Sequence, residues 1–235
     1  MATILCIETT TTNCSVALSV DGIAVFLKED NNKQYSHAEK LHIFIEDVLV
    51  KSKVSKNKLD AIAVSKGPGS YTGLRIGVSA AKGLCLALEI PLISIPTLEA
   101  LAYQVKKSDG VIVPMIDARR LEVYSAVFSN KKFQIRDTTA EVLDENSFTN
   151  YLNENPIYFI GNGVEKFKPI CNHSNAIFMD SNLPSSNEMG ILAESKYQNS
   201  EFEDVAYFEP YYLKDFLQNK SNLKRTFLKW KKPTI

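Results

Sequence analysis

A pattern that occurs twice, 109 residues apart, does most to restrict how this chain can fold. Ile7-Glu8 and Ile116-Asp117 each end a short apolar run of the kind that forms a buried strand. At the same spacing Ala17 matches Ala126, Leu18 matches Val127, and the turn at Asp21-Gly22 matches Asn130-Lys131. Each half therefore begins as strand, acidic residue, strand, hairpin, strand. Two related lobes in an α/β arrangement, each a mixed sheet flanked by helices, satisfy this repeat within 235 residues. The expected division is 1–107 for the first lobe and 108–235 for the second, whose last helix can pack back on the first.

Strands are expected over 3–9, 14–20, 23–28, 59–65 and 92–95 in the first lobe, and over 111–116, 122–128 and 156–160 in the second. Ser36 and Glu39 form a capping box ahead of a helix with Ala38, Leu41, Ile45, Val48 and Leu49 on one face. Ile43, Phe44 and Val50 lie off that face, as apolar surface to spare. Between the strand 59–65 and the next helix stand Gly67, Pro68, Gly69 and Ser70, a tight strand-to-helix turn. Ser70 or Thr72 caps a helix running to Leu88, whose stripe of Leu74, Val78, Ala81, Cys85 and Leu88 suits packing on a sheet. Beside the stripe lie the small residues Gly73, Gly77, Ala80 and Ala87. They fit either burial within the lobe or close approach of a helix from another subunit. Further helices are expected over 97–107 and 187–196, with a turn at Gly161-Asn162-Gly163.

Lys+Arg and Asp+Glu both number 27, so no overall basic field points to nucleic acid. Four cysteines without a CxxC pair read as buried thiols of a reducing compartment. The N-terminal stretch reaches Glu8 too early for a signal peptide, and no run is long enough to span a membrane, so a cytoplasmic protein is expected. After Asp215 there is no acidic residue, while Lys220, Lys224, Arg225, Lys229, Lys231 and Lys232 gather around Phe227 and Trp230. Such a tail can hold RNA by charge and stacking, or can simply be a solvated terminus.

Glu8 and Asp117, at matching strand ends of two lobes, are the arrangement of an actin-like or sugar-kinase-like ATPase, where two carboxylates face a magnesium nucleotide. A nucleotide-dependent phosphotransferase using this pair is therefore one reading. Against it, the first hairpin loop reads Thr9-Thr10-Thr11-Thr12, with no glycine to let the backbone close on a phosphate. No Gly-Lys-Ser/Thr follows Gly67 either. His37 and His42, five apart, point about 140° away from each other on a helix and cannot share a metal. No residue is assigned a catalytic role and no cofactor is expected.

These residues resemble the TsaB (YeaZ) family. The resemblance rests on Ile7-Glu8-Thr9 with Cys14-Ser15-Val16-Ala17-Leu18, and on the long run from Gly67 to Gly77. Asp117-Ala118-Arg119, Glu122-Val123-Tyr124 and Pro210-Tyr211-Tyr212-Leu213-Lys214 are similar to the family's later motifs. It implies a two-lobed actin-like (ASKHA, RNase H-like) fold and a part in making N6-threonylcarbamoyladenosine beside the tRNA anticodon. The implied partners are a TsaD-like catalytic subunit, a TsaE-like ATPase, tRNA through the complex, and a second copy of the chain. TsaD carries a metal-binding His-x-x-x-His on the helix matching residues 97–101. Thr97 and Leu101 stand there in this chain, so that metal site is absent, which also weakens the peptidase label attached to relatives. The expected association surface comprises Leu41, Ile43, Phe44, Val50, Gly73, Arg75, Ile76, Gly77 and Ala80, on the two long helices of the first lobe.

Overall fold

The structure is a computed structural model that describes residues 1–31, 37–106, 109–180 and 182–214. Strand β1 (Thr3–Glu8) runs antiparallel to β2 (Cys14–Val20), which turns through Asp21-Gly22 into β3 (Ile23–Asp30). Both turn residues have positive φ, 54° and 77°, the twist that a two-residue hairpin needs. β4 (Ala61–Gly67) joins β1 in parallel and β5 (Leu92–Pro96) joins β4, giving the order β3-β2-β1-β4-β5. The second sheet repeats this plan with β6 (Val111–Asp117), β7 (Glu122–Phe128), β8 (Gln134–Val142), β9 (Ile157–Ile160) and β10 (Ala176–Phe178), in the order β10-β9-β6-β7-β8. The molecule has the two-lobed actin-like fold.

Alternation along the strands decides what covers each face. Leu5, Ile7, Val16, Leu18, Ile62 and Val64 face α1 (His37–Ser52) and α2 (Tyr71–Leu88). Ile4, Cys6, Ala17, Ala61 and Ala63 face the other way, against Met189, Leu192 and Ala193 of α6 (Met189–Gln198). The last helix of the described residues thus belongs to the core of the first lobe, although it follows the second sheet in sequence. Between the sheets lies α3 (Thr97–Ala102): Ala100 packs on the first, while Leu98, Leu101 and Ala102 pack on Ile112, Ile116 and Ile160 of the second. The far face of the second sheet is closed by α4 (Thr149–Leu152), α5 (Val164–Phe167) and a ring cluster of Phe148, Phe159, Phe167 and Phe178.

Several expectations are corrected. The repeat loses one residue between strands: Cys6 pairs with Ala17, whereas Met115 pairs with Ser125, so Ala17 corresponds to Ser125 and not to Ala126. The loop after Asp117 is one residue shorter than the loop after Glu8, and a strand offset must follow loop length. Phe44 is not spare surface; three residues after Leu41 and four before Val48, it completes the buried stripe of α1. α3 stops at Ala102, short of the expected 107, because Gln104 and Val105 make tighter turns back to Leu101 and Ala102. α6 begins at Met189, two residues late. The strand that the repeat expects after the second hairpin is β8, although its own residues carry too little periodicity to mark its bounds, and β10, α4 and α5 are too short to be read from sequence. Ser36 and the basic tail beyond Lys214 lie outside the described residues. No helix of the described residues is long and apolar enough to cross a membrane.

Candidate functional site: an interlobe cleft and the outer face of two helices

The C-terminal ends of β1 and β6 open onto one cleft of about 510 Å³ between the lobes. Its walls are the loop at Thr10 and Thr11, the turn from Pro68 to Thr72, the loop from Asp117 to Arg119 with Asn162, and the segment 211–214. Ser70 is the cap of α2, accepting from the Gly73 amide, and Thr72 lies inside the first turn.

The two carboxylates of the repeat meet different fates. Glu8 is fully buried, and its oxygens accept from the Thr10 amide at 2.6 Å, the Thr10 hydroxyl at 2.5 Å and the Ser65 hydroxyl. Burial pushes its pKa above the ordinary carboxylate range, against the pull of these donors. Asp117 is exposed; it accepts from the Arg119 amide at 2.5 Å and pairs with Lys166 at 2.8 Å. The structure therefore does not bring Glu8 and Asp117 together as paired acids on the cleft.

The first hairpin loop is clamped from behind. Ser70 donates its amide to the Thr10 carbonyl at 2.7 Å, and Thr9 Oγ1 donates to the Gly73 carbonyl at 2.8 Å. His37 Nε2 lies 2.7 Å from the Thr11 carbonyl, and burial lowers its pKa. A Cβ on Gly69 would come within 2.5 Å of Thr10, and one on Gly73 or Gly77 within 2.0 and 2.2 Å of Thr9. These glycines serve the chain's own loop. As partner surface Gly73 and Gly77 are withdrawn, because both are buried against Thr9. Gly67 has φ 109°, and a Cβ there would meet the Tyr211 carbonyl at 2.8 Å.

Leu41 and Phe44 are likewise withdrawn, since they lie in the core beneath α1. What remains outward on the two helices is Ile43, 58% exposed, and Val50, 69% exposed, with Arg75 exposed and Ile76 and Ala80 partly so. Leu86, which sequence reasoning did not single out, adds to the apolar exposure of α2. Arg75 stacks over the Tyr71 ring at 4.2 Å.

The described residues contain no group of three or more His, Cys, Asp or Glu able to hold a metal. Thr97 and Leu101 are both fully buried, and Leu101 packs into the second lobe beside Gly161. All four cysteines are free and buried, and burial pushes the Cys6 and Cys85 thiols up to about 12. They are inert packing groups.

The profile of the family described as TsaD, tRNA N6-adenosine threonylcarbamoyltransferase, matches residues 31–219. A Haemophilus influenzae protein named tRNA threonylcarbamoyladenosine biosynthesis protein TsaB is 30% identical over 225 residues, 91% of this chain and 94% of the relative. Its Escherichia coli namesake is 30% identical over 220 residues, 90% and 94% of the two chains. Among solved structures, a Pseudomonas aeruginosa protein described as similar to the peptidase YeaZ superposes with a TM-score of 0.80 at 25% identity, covering 91% of this chain and all of that one. YeaZ from the same organism gives 0.75 at 26%, with the same coverage.

Proposed function

The chain belongs to the TsaB (YeaZ) family, and from that premise we propose that it is the non-catalytic subunit of the assembly that forms N6-threonylcarbamoyladenosine in tRNA. Its role is to bind and support a TsaD-like catalytic subunit. The observation that carries the non-catalytic reading is the sealing of Glu8. A carboxylate with three donors, buried behind the Thr9–Asn13 loop, has no path to a magnesium nucleotide. The loop amide that would approach a phosphate in an ATPase lobe, that of Thr10, is spent on Glu8 instead. Thr97 and Leu101, fully buried at the positions of the catalytic relative's histidines, support the same reading.

The contact surface is the outward face of α1 and α2, through Ile43, Val50, Arg75, Ile76 and Ala80. It serves the TsaD-like partner and a second copy of the chain in turn, so homodimer and heterodimer compete. A TsaE-like ATPase joins the assembly, and tRNA meets it there. The experiment is reconstitution of threonylcarbamoyl transfer from purified subunits, with and without this chain. Modification should require the chain while the chain alone neither modifies tRNA nor turns over ATP. ATP turnover that survives stringent purification and vanishes in Glu8→Ala would overturn the reading in favour of a phosphotransferase.

A further inference from the structure

Two of the contacts that join the lobes are of opposite chemistry. α3 forms an apolar joint, with Leu98, Leu101 and Val105 buried against Ile112, Ile116 and Ile160. The segment 203–214 also crosses from lobe to lobe. It leaves α6, pairs with the edge of β5 through the Glu203 amide and the Leu92 carbonyl at 2.8 Å, and passes along α2. There Lys82 Nζ donates to the carbonyls of Ala206 and Phe208 at 3.1 and 3.0 Å. The Tyr211 amide then donates to the Lys66 carbonyl at 2.7 Å, and Gly67 is bare where Tyr211 passes. The Tyr212 ring lies 5.0 Å from that of Tyr71, over which the Arg75 guanidinium stacks at 4.2 Å. Two residues later the chain is on the second lobe: Lys214 pairs with Glu122, donates to the Ala118 carbonyl at 3.3 Å and sits over the Tyr124 ring at 5.5 Å.

We propose that residues 211–214 are an interlobe latch, which ties the first turn of α2 to the loop after β6 and holds the cleft at its width. All four residues line the cleft. The latch and the α3 joint differ in the way a clasp differs from a hinge. The joint is buried and apolar, so opening it exposes hydrocarbon to water. The latch end is a one-third-exposed ion pair with one carbonyl contact, which water replaces at little cost. When the lobes part, they part at Lys214 and turn about α3. This assigns a task to the Tyr211-Tyr212-Leu213-Lys214 motif, which neither an association face nor a core explains. It also gives Arg75 a duty within the chain, since its guanidinium stacks on Tyr71, the ring that packs against Tyr212.

Hydrogen exchange of the full-length chain, read peptide by peptide, tests the latch. In Lys214→Glu and in Tyr212→Ala, amides over 69–75 and 118–124 should exchange about tenfold faster or more, while β1, β6 and α3 keep their protection. Combining Lys214→Glu with Glu122→Lys should restore the slow exchange, because the swapped pair closes the same gap. Unchanged exchange around the cleft in both single variants would overturn the proposal. So would a loss of protection spread evenly through β1 and β6, or a charge swap that rescues nothing.

Discussion

Gly73 and Thr9 are in direct backbone contact: Thr9 donates its hydroxyl to the Gly73 carbonyl at 2.8 Å, and a Cβ on Gly73 would lie 2.0 Å from the Thr9 carbonyl oxygen. The glycines of α2 are therefore the means by which the helix seats on the loop that ends β1. This contact holds the wall of the cleft in place and keeps the loop folded over Glu8.

Replacing Gly73 by alanine should destabilise the chain by about 1–3 kcal/mol or more, since backbone rather than a flexible side chain is struck. Gly83, on the same helix, has nothing within 4 Å of a built Cβ, so Gly83→Ala should stabilise by about 0.5–1 kcal/mol through helix propensity alone. Urea unfolding midpoints of the two variants check the pair. Equal effects would mean that α2 does not seat on Thr9 as described.

Ile43→Asp separates folding from association. Ile43 is 58% exposed on α1, so a carboxylate there stays in water in the monomer and stability should change little. Buried in an interface, the same unpaired carboxylate costs several kcal/mol. The variant should melt like the parent, sediment as a monomer and fail to capture the TsaD-like subunit. Normal dimerisation and capture would move the interface elsewhere.

Glu8 makes stability depend on pH in a stated direction. Its folded pKa is raised by burial, so the native state keeps a proton that the unfolded chain releases near the ordinary value of about 4.3. The contribution to stability is complete below that pH and is lost as pH rises through the folded pKa, at about 1.4 kcal/mol per unit while the states differ by one proton. Glu8→Gln should remove this term. The difference in unfolding free energy between parent and variant should then change steadily above pH 4 and level off once Glu8 ionises in the native state. A difference flat across that range would show that the hydrogen bonds from Thr10 and Ser65 fully offset burial.

Periodicity and turn chemistry are local, and what they dictate was legible. The Asp21-Gly22 hairpin, the buried stripes of α1 and α2, the turn at Gly67 to Ser70 and the repeated strand–acid–strand pattern all follow from residues close in the chain. β8 was expected from the repeat, but its bounds were not legible, because it is an outer strand without a buried residue and alternates weakly. Phe44 was misread although its spacing from Leu41 and Val48 puts it on the buried stripe, because that stripe is wider than the one face assigned to it. Of the residues expected on an association surface, Ile43 and Val50 stood out as surplus and are exposed, whereas Gly73 and Gly77 looked the same as small residues awaiting a partner helix and are buried against Thr9.

Most of the strands, the repeat and the family resemblance were set by spacing along one stretch of chain. Folding was needed to decide that Glu8 is sealed and Asp117 is not, that α6 completes the first lobe, and that residues 211–214 line the cleft. Those outcomes depend on partners 57 residues away for Glu8 and Ser65, and 96 away for Lys214 and Ala118. Burial is the property that sets a carboxylate's charge and a glycine's purpose, and it exists only once distant segments have excluded water from the space between them.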